Sequence, residues 1–161
     1  MDRSLPDHAV RAFSQQTALF ALLKTGIPTA APETAWRALT EAAARTLGVR
    51  RASIWFLGAK DTQLVLADLF DRTTGTHESG EVLGAERYPA YFHALRWSRA
   101  IVAPDAATDP RTGEFAGHYL EAHGIVSMLD AGIWHEGKAR GVLCLESVGQ
   151  RRDWQADEQQ F

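Results

Sequence analysis

The stretch GIVSMLDAGIWHEGKARGVLCLESVGQRRDW, residues 124–154, decides the fold. It holds two mostly apolar runs of strand length, residues 125–134 and 139–147, the second with the core GVLCLE. Between them HEGK, residues 135–138, is polar and contains the glycine that a tight hairpin needs. Runs this apolar predict a hairpin in the middle of its sheet rather than at an edge. Two carboxylates interrupt them, Asp130 and Glu146. A buried carboxylate requires a partner. Either each meets a backbone N–H or an arginine near a sheet end, or one or both face a polar cavity. Strand alternation puts Met128 and Asp130 on one face, opposite Leu129 and Ala131. It likewise puts Cys144 and Glu146 opposite Leu143 and Leu145. We expect the Met128/Asp130 and Cys144/Glu146 faces to point to the same side, that of a ligand.

Outward from this hairpin, helical spacing of Val10, Phe13, Thr17 and Phe20 or Ala21, widened by Leu19, Leu22 and Leu23, predicts a helix over 8–24. Gly26 and Pro28 end it. A second helix is expected over 32–47, with Pro32 and Glu33 in its first turn and Gly48 just past its end. Trp36, Leu39, Ala43 and Leu47 mark its buried side. RASIWFL (51–57) and QLVLADLF (63–70) form a hairpin of β-forming residues. Residues 76–83 read as one short edge strand. Pro89 opens a helix over 89–97, and 100–103 is a brief strand. The loop PDAATDPRT, 104–112, is followed by a helix over 113–123 with Thr112 as its N-cap. After Trp154 a last helix begins, with Gln155 at the cap position and Glu158 three residues on. Hairpin connections predict an α+β fold, a central antiparallel sheet of about six strands with helices packed on its faces.

Composition narrows the function. With 161 residues, one domain and one core are expected. A net charge of −3 argues against nucleic acid as a partner. The single cysteine, Cys144, has no disulfide partner in the chain and reads as a small core residue. The longest apolar run, residues 18–23, is far short of the ~20 residues of a membrane span. The start has no basic-then-apolar signal. The expected setting is the cytoplasm.

No phosphate-binding glycine loop, dinucleotide fingerprint, nucleophile elbow or zinc-protease motif occurs. The histidines are scattered, and no Cys/His metal set forms. The sequence does hold an aromatic-rich middle. Tyr88, Tyr91, Phe92, Phe115 and Tyr119 come from two short helices flanking 104–112. Over one sheet face they either wall a pocket or fill a small core. For the pocket, the expected polar contacts are the Tyr hydroxyls with Asp105, Thr108 and Asp109. The alternative use of those loop residues is turn formation and capping.

Taken together, RASIWFL, YPAYFHAL, IVAPDAATDPRTGEF and the stretch from HYLEAHGIVSMLDA to RRDWQADEQQF resemble a GAF domain. It is similar to those of bacterial sensor histidine kinases and diguanylate cyclases. The most specific parts are DAATDPRT (105–112), GIVSMLDA (124–131), GVLCLE (141–146) and RDWQADE (152–158). The resemblance implies a sheet with the N- and C-terminal helices on one face and pocket segments on the other. It divides the chain into a signalling and dimerisation helix, 1–28, and the GAF domain, 29–161. It also implies a regulatory, non-catalytic role, either as a small-molecule sensor or as a pocketless dimerisation and relay module. The output is expected from a C-terminal kinase or cyclase domain, and the last helix, written with a start and no stop, is expected to run into it.

The ligand site expected on this basis comprises Tyr88, Tyr91, Phe92, Asp105, Thr108, Asp109, Phe115, Tyr119, Met128, Asp130, Cys144 and Glu146. The expected cavity is a few hundred Å3. No cysteine lies near 114–123, where bilin-attaching members carry one, so no covalent chromophore is expected. Arg111 and the start of the 113–123 helix are candidate phosphate contacts, but Asp105 and Asp109 disfavour a dianion. A neutral or cationic metabolite fits at least as well. The wide apolar stripe of 8–24 predicts a two-fold homodimer through the terminal helices.

Overall fold

The computed structural model describes residues 7–24, 30–58 and 60–161. Helices α1 (Asp7–Lys24) and α2 (Pro32–Leu47) precede a hairpin, β1 (Arg51–Leu57) and β2 (Gln63–Asp71). Two three-residue strands follow, β3 (Thr76–Glu78) and β4 (Val82–Gly84), then α3 (Pro89–Trp97) and β5 (Ala100–Ala103). After a winding segment, 113–123, the chain closes with β6 (Ile125–His135) and β7 (Lys138–Val148). The sheet order is β3-β2-β1-β7-β6-β5, with β4 also on β2, and every pairing is antiparallel.

The β6–β7 hairpin is interior, as its composition predicts: β1 flanks β7 and β5 flanks β6. Its turn is two residues long. Glu136 (φ 51°) and Gly137 (φ 74°) lie between the paired His135 and Lys138. Two successive left-handed residues make the mirror-image turn whose twist suits the strands.

Alternation sorts the sheet into two apolar layers. One face carries Trp55, Leu64, Leu66, Met128, Val142 and Cys144 against the aromatics of α3 and 113–123. The other carries Ala52, Phe70, Leu129 and Leu145 against Ala43, Ala44 and Leu47 of α2, together with Trp154. α2 has Pro32 in its first turn and Gly48 in the left-handed conformation at its end (φ 65°). Leu39, assigned by periodicity to its buried side, is half-exposed. α1 lies outside α2. Arg11 forks onto the Asp157 carboxylate at 3.0 and 3.2 Å, and Gln15 donates to it at 3.1 Å.

Three local expectations change. The single edge strand over 76–83 is split at Gly80 (φ 89°), whose N–H donates to the Leu66 carbonyl. The 113–123 segment is not one regular helix. A 3-10 turn (Gly113–Phe115), a π turn (Ala116–Leu120) and one α turn (Glu121–His123) follow one another. Thr112 does not cap it, because its hydroxyl donates instead to the Ala106 carbonyl at 2.7 Å. Beyond Trp154 there is a turn rather than a helix. The expected cap pairing is present within it: the Gln155 N–H donates to Glu158 at 2.9 Å, and Arg152 pairs with the same carboxylate.

Candidate functional site

Strands β6 and β7 bring two carboxylates to the face covered by α3 and 113–123. Asp130 lies opposite Cys144, and Met128 opposite Glu146. Both carboxylates are buried, Asp130 at 0% exposure and Glu146 at 1%.

Glu146 is fully partnered. The Arg51 Nε donates to it at 2.8 Å and the Tyr119 hydroxyl at 2.8 Å. Arg51, at the start of β1, stands directly opposite Glu146 in the β1–β7 register. Its other guanidinium nitrogens reach His123 Nδ1 at 3.1 Å and the Tyr119 hydroxyl at 3.4 Å. Burial, and next the charge of Arg51, depress the His123 pKa, which suits an imidazole accepting at Nδ1. Burial raises the Glu146 pKa while Arg51 and Tyr119 pull it back. Removing one member of such a pair leaves a buried charge, at a typical cost of about 3–5 kcal/mol.

Asp130 is only half-partnered. The Tyr91 hydroxyl donates to its Oδ2 at 2.5 Å, but Oδ1 has no partner among the described residues. Burial is the largest cause that lifts its pKa from 3.8 to about 7, against the opposing Tyr91 hydrogen bond. Tyr91 also sits 3.6 Å from Cys144 Sγ. Burial and the neighbouring carboxylates push the Cys144 thiol upward, so it is a protonated core group and not a nucleophile.

The cover over these groups is aromatic. Phe115 meets Tyr88 at 4.4 Å, Tyr91 at 4.8 Å and Tyr119 at 5.9 Å between ring centroids, and Phe92 packs edge-on to Tyr91 at 6.5 Å. Glu114 ties the cover to α3 by accepting the N–H groups of Ala90 and Tyr91 at 3.0 and 3.2 Å. The rings interlock rather than wall a void. The expected cavity of a few hundred Å3 shrinks to ≈10 Å3, lined by Trp55, Tyr91, Phe115, Tyr119, Met128, Cys144 and Glu146 among others. That is room for about one water molecule.

Three expected site residues stand apart. Asp105 accepts the Thr108 N–H at 3.3 Å, and Thr108 is exposed. Asp109 accepts from Arg111 Nε at 2.9 Å and Nη2 at 2.6 Å, and Arg111 also donates to the Val102 carbonyl at 2.8 Å. The loop uses these groups to make its own turns, leaving Arg111 engaged. Conversely, sequence reasoning missed Arg51, His123 and Glu114. Pairing β1 antiparallel to β7 would have found Arg51, since the register sets it against Glu146. Among the described residues, no cluster of His, Cys, Asp and Glu could hold a metal ion. No helix among them is long and apolar enough to cross a membrane.

Comparison with known proteins agrees with this architecture. A family model described as GAF domain matches residues 31–161. No curated protein matches the chain. Among solved structures, the phycocyanobilin-bound GAF domain from a cyanobacterial phytochrome superposes with a TM-score of 0.72 at 18% identity, covering 91% of this chain and 86% of that one. The GAF domain from an Acinetobacter phosphoenolpyruvate-protein phosphotransferase gives 0.68 at 13%, covering 91% and 84%. The chromophore-binding domain of Stigmatella aurantiaca bacteriophytochrome gives 0.70 at 15%, covering 98% of this chain, which spans 59% of that longer one. At these identities the likeness is one of fold.

Proposed function

This chain belongs to the GAF domain family, and from that premise we propose that it senses a small molecule and relays its presence to an output domain. The family makes it a sensory, regulatory domain rather than a catalytic one. The finer reading is of a cytoplasmic bacterial signalling protein in which a C-terminal histidine kinase or diguanylate cyclase is the output. One observation supports ligand binding above the rest: Asp130 Oδ1, fully buried and without a donor among the described residues. Buried polar atoms in native proteins are almost always hydrogen-bonded. A ligand N–H or O–H placed between β6 and the 113–123 cover supplies the missing donor. Arg51 matches the charge of Glu146 and Asp130 ionises near pH 7, so the fitting ligand is neutral or, where Asp130 is ionised, cationic. It enters by parting the rings of Tyr91, Phe115 and Tyr119. A cover made of 3-10, π and α turns suits such a movement, because π turns mark functional irregularities in helices.

A second reading is a pocketless relay and dimerisation module, favoured by the ≈10 Å3 left between the rings. Native mass spectrometry of the purified domain separates the two. The sensor reading expects a co-purifying small molecule that is lost in Asp130→Asn, whose amide N–H groups compete with the ligand's donor. A bare mass, with no change in melting temperature across a metabolite panel, decides for the relay module.

A further inference from the structure

Further along β6, beginning two residues past Asp130, the C-terminal end of α3 and the tip of the β6–β7 hairpin enclose a cleft of ≈600 Å3. Its walls include Trp97 and Trp134, and its floor is Gly132. Trp97 is 77% exposed and Trp134 38%. Single exposed apolar residues need no explanation, but two indoles on one cleft are not a random scatter. Neither ring stacks on another aromatic and neither indole N–H finds an acceptor among the described residues. Arg99 lines the same cleft, and an adjoining hollow shared by both tryptophans adds Arg96, Lys138 and Asp61. Arg96 donates to the Asp61 carbonyl at 3.0 Å. The side chains of Arg99 and Lys138 form no ion pair among the described residues. Three cations against one carboxylate, in a chain of net charge −3, is a local reversal of sign.

The glycine has a specific role in this shape. A Cβ at position 132 would stand 2.5 Å from Trp134 Nε1, so the indole lies against the backbone there only because residue 132 has no side chain. The Gly132 N–H is already engaged by the Arg99 carbonyl at 2.8 Å, which joins the two sides of the cleft.

We propose that this cleft is a second binding site, for a small planar aromatic anion of the nucleoside monophosphate class. The ring lies on the two indole faces and the anionic group meets Arg99 and Lys138. Aromatic faces accept any planar π-ring, and unpaired cations select for negative charge. The volume lies within the range of small-molecule sites. An uncharged sugar leaves the cations unused, and an extended nucleic acid requires a basic track that this acidic chain lacks. The proposal does not depend on the buried carboxylate site.

The five tryptophans give a site-specific readout through their indole N–H signals in nitrogen-15 NMR spectra. Trp97→Phe and Trp134→Phe assign the two that matter, and Trp55 reports on the buried site. Titration with AMP is expected to shift the Trp97 and Trp134 signals saturably, with a Kd below about 1 mM, while Trp55 stays still. Adenosine alone and inorganic phosphate alone are expected to bind about tenfold more weakly or worse. Trp97→Ala is expected to weaken AMP by about fivefold to a hundredfold. Gly132→Ala, which displaces only a side chain, is expected to weaken it too while the rest of the spectrum is unchanged. Absence of a saturable shift at Trp97 and Trp134 overturns the proposal. So does equal affinity for adenosine and AMP, or AMP binding untouched by Trp97→Ala. A shift confined to Trp55 assigns the nucleotide to the buried site and also overturns it. Co-sedimentation with phosphatidylserine vesicles without any AMP response makes the patch a membrane surface instead.

Discussion

Asp130 is the residue on which the chemistry of the buried face turns, and its burial has a thermodynamic signature. Its carboxyl pKa is about 7 in the folded chain against an ordinary 3.8. Between those values the native state keeps a proton that the unfolded chain has released. The stability this provides is therefore full below the ordinary value, declines as pH rises, and is gone above about 7, a span of ~4 kcal/mol. Glu146, also raised, acts with the same sign. Asp130→Asn has no proton to lose. Urea unfolding of both proteins at pH 5 and pH 8 is expected to show the wild type losing stability relative to Asp130→Asn at the higher pH. A difference that does not vary with pH would mean that Asp130 is ionised throughout in the native state. Both buried carboxylates were legible in the sequence, because a charge inside an apolar strand violates the pattern around it. The identity of Arg51 as a partner was not, because strand order across a sequence separation of 95 residues is a tertiary fact.

At the scale of elements, the β6–β7 turn carries a testable imperfection. Glu136 holds a left-handed backbone (φ 51°), a conformation that costs a residue with a Cβ roughly 1–2 kcal/mol unless it is asparagine or aspartate. Glu136→Asn is expected to raise the melting temperature by about 2–4 °C, and Gly137→Ala to lower it by a similar amount. Calorimetry of the two variants checks both signs. Elements with strong periodicity were read with near-correct ends: α2, β1, α3 and β5 match their expected limits. The failures share a cause. Residues 76–83 and 113–123 are short, and glycines or competing side-chain bonds set their geometry, as at Gly80 and Thr112. The loop residues Asp105, Thr108 and Asp109 were open to two uses by type, and only the folded turn decided between them.

For the whole molecule, α1 leaves an apolar stripe exposed among the described residues. Val10, Phe13, Phe20 and Leu23 are 51%, 71%, 62% and 64% exposed, and their spacing puts them on one side of the helix. We expect this stripe to be covered by its own copy in a two-fold homodimer, a self-complementary arrangement that suits a relay between paired outputs. Sedimentation equilibrium is expected to give a dimer for the domain and a monomer for Phe13→Glu/Phe20→Glu, with the circular dichroism spectrum retained. A wild-type monomer at high micromolar concentration would remove this surface from the relay.

The place of β1 between β2 and β7 also governs how the chain is made. During synthesis β1 and β2 can close at once as a local hairpin, but the other edge of β1 waits for a strand that ends at Val148. Until then Arg51 lacks its Glu146 partner, and the far side of β1 offers unpaired backbone groups to any neighbouring chain. Closure of the sheet is thus a late, long-range step that follows two fast local hairpins. A polypeptide halted before β7 is a half-sheet with an open edge, prone to pair with another of its kind.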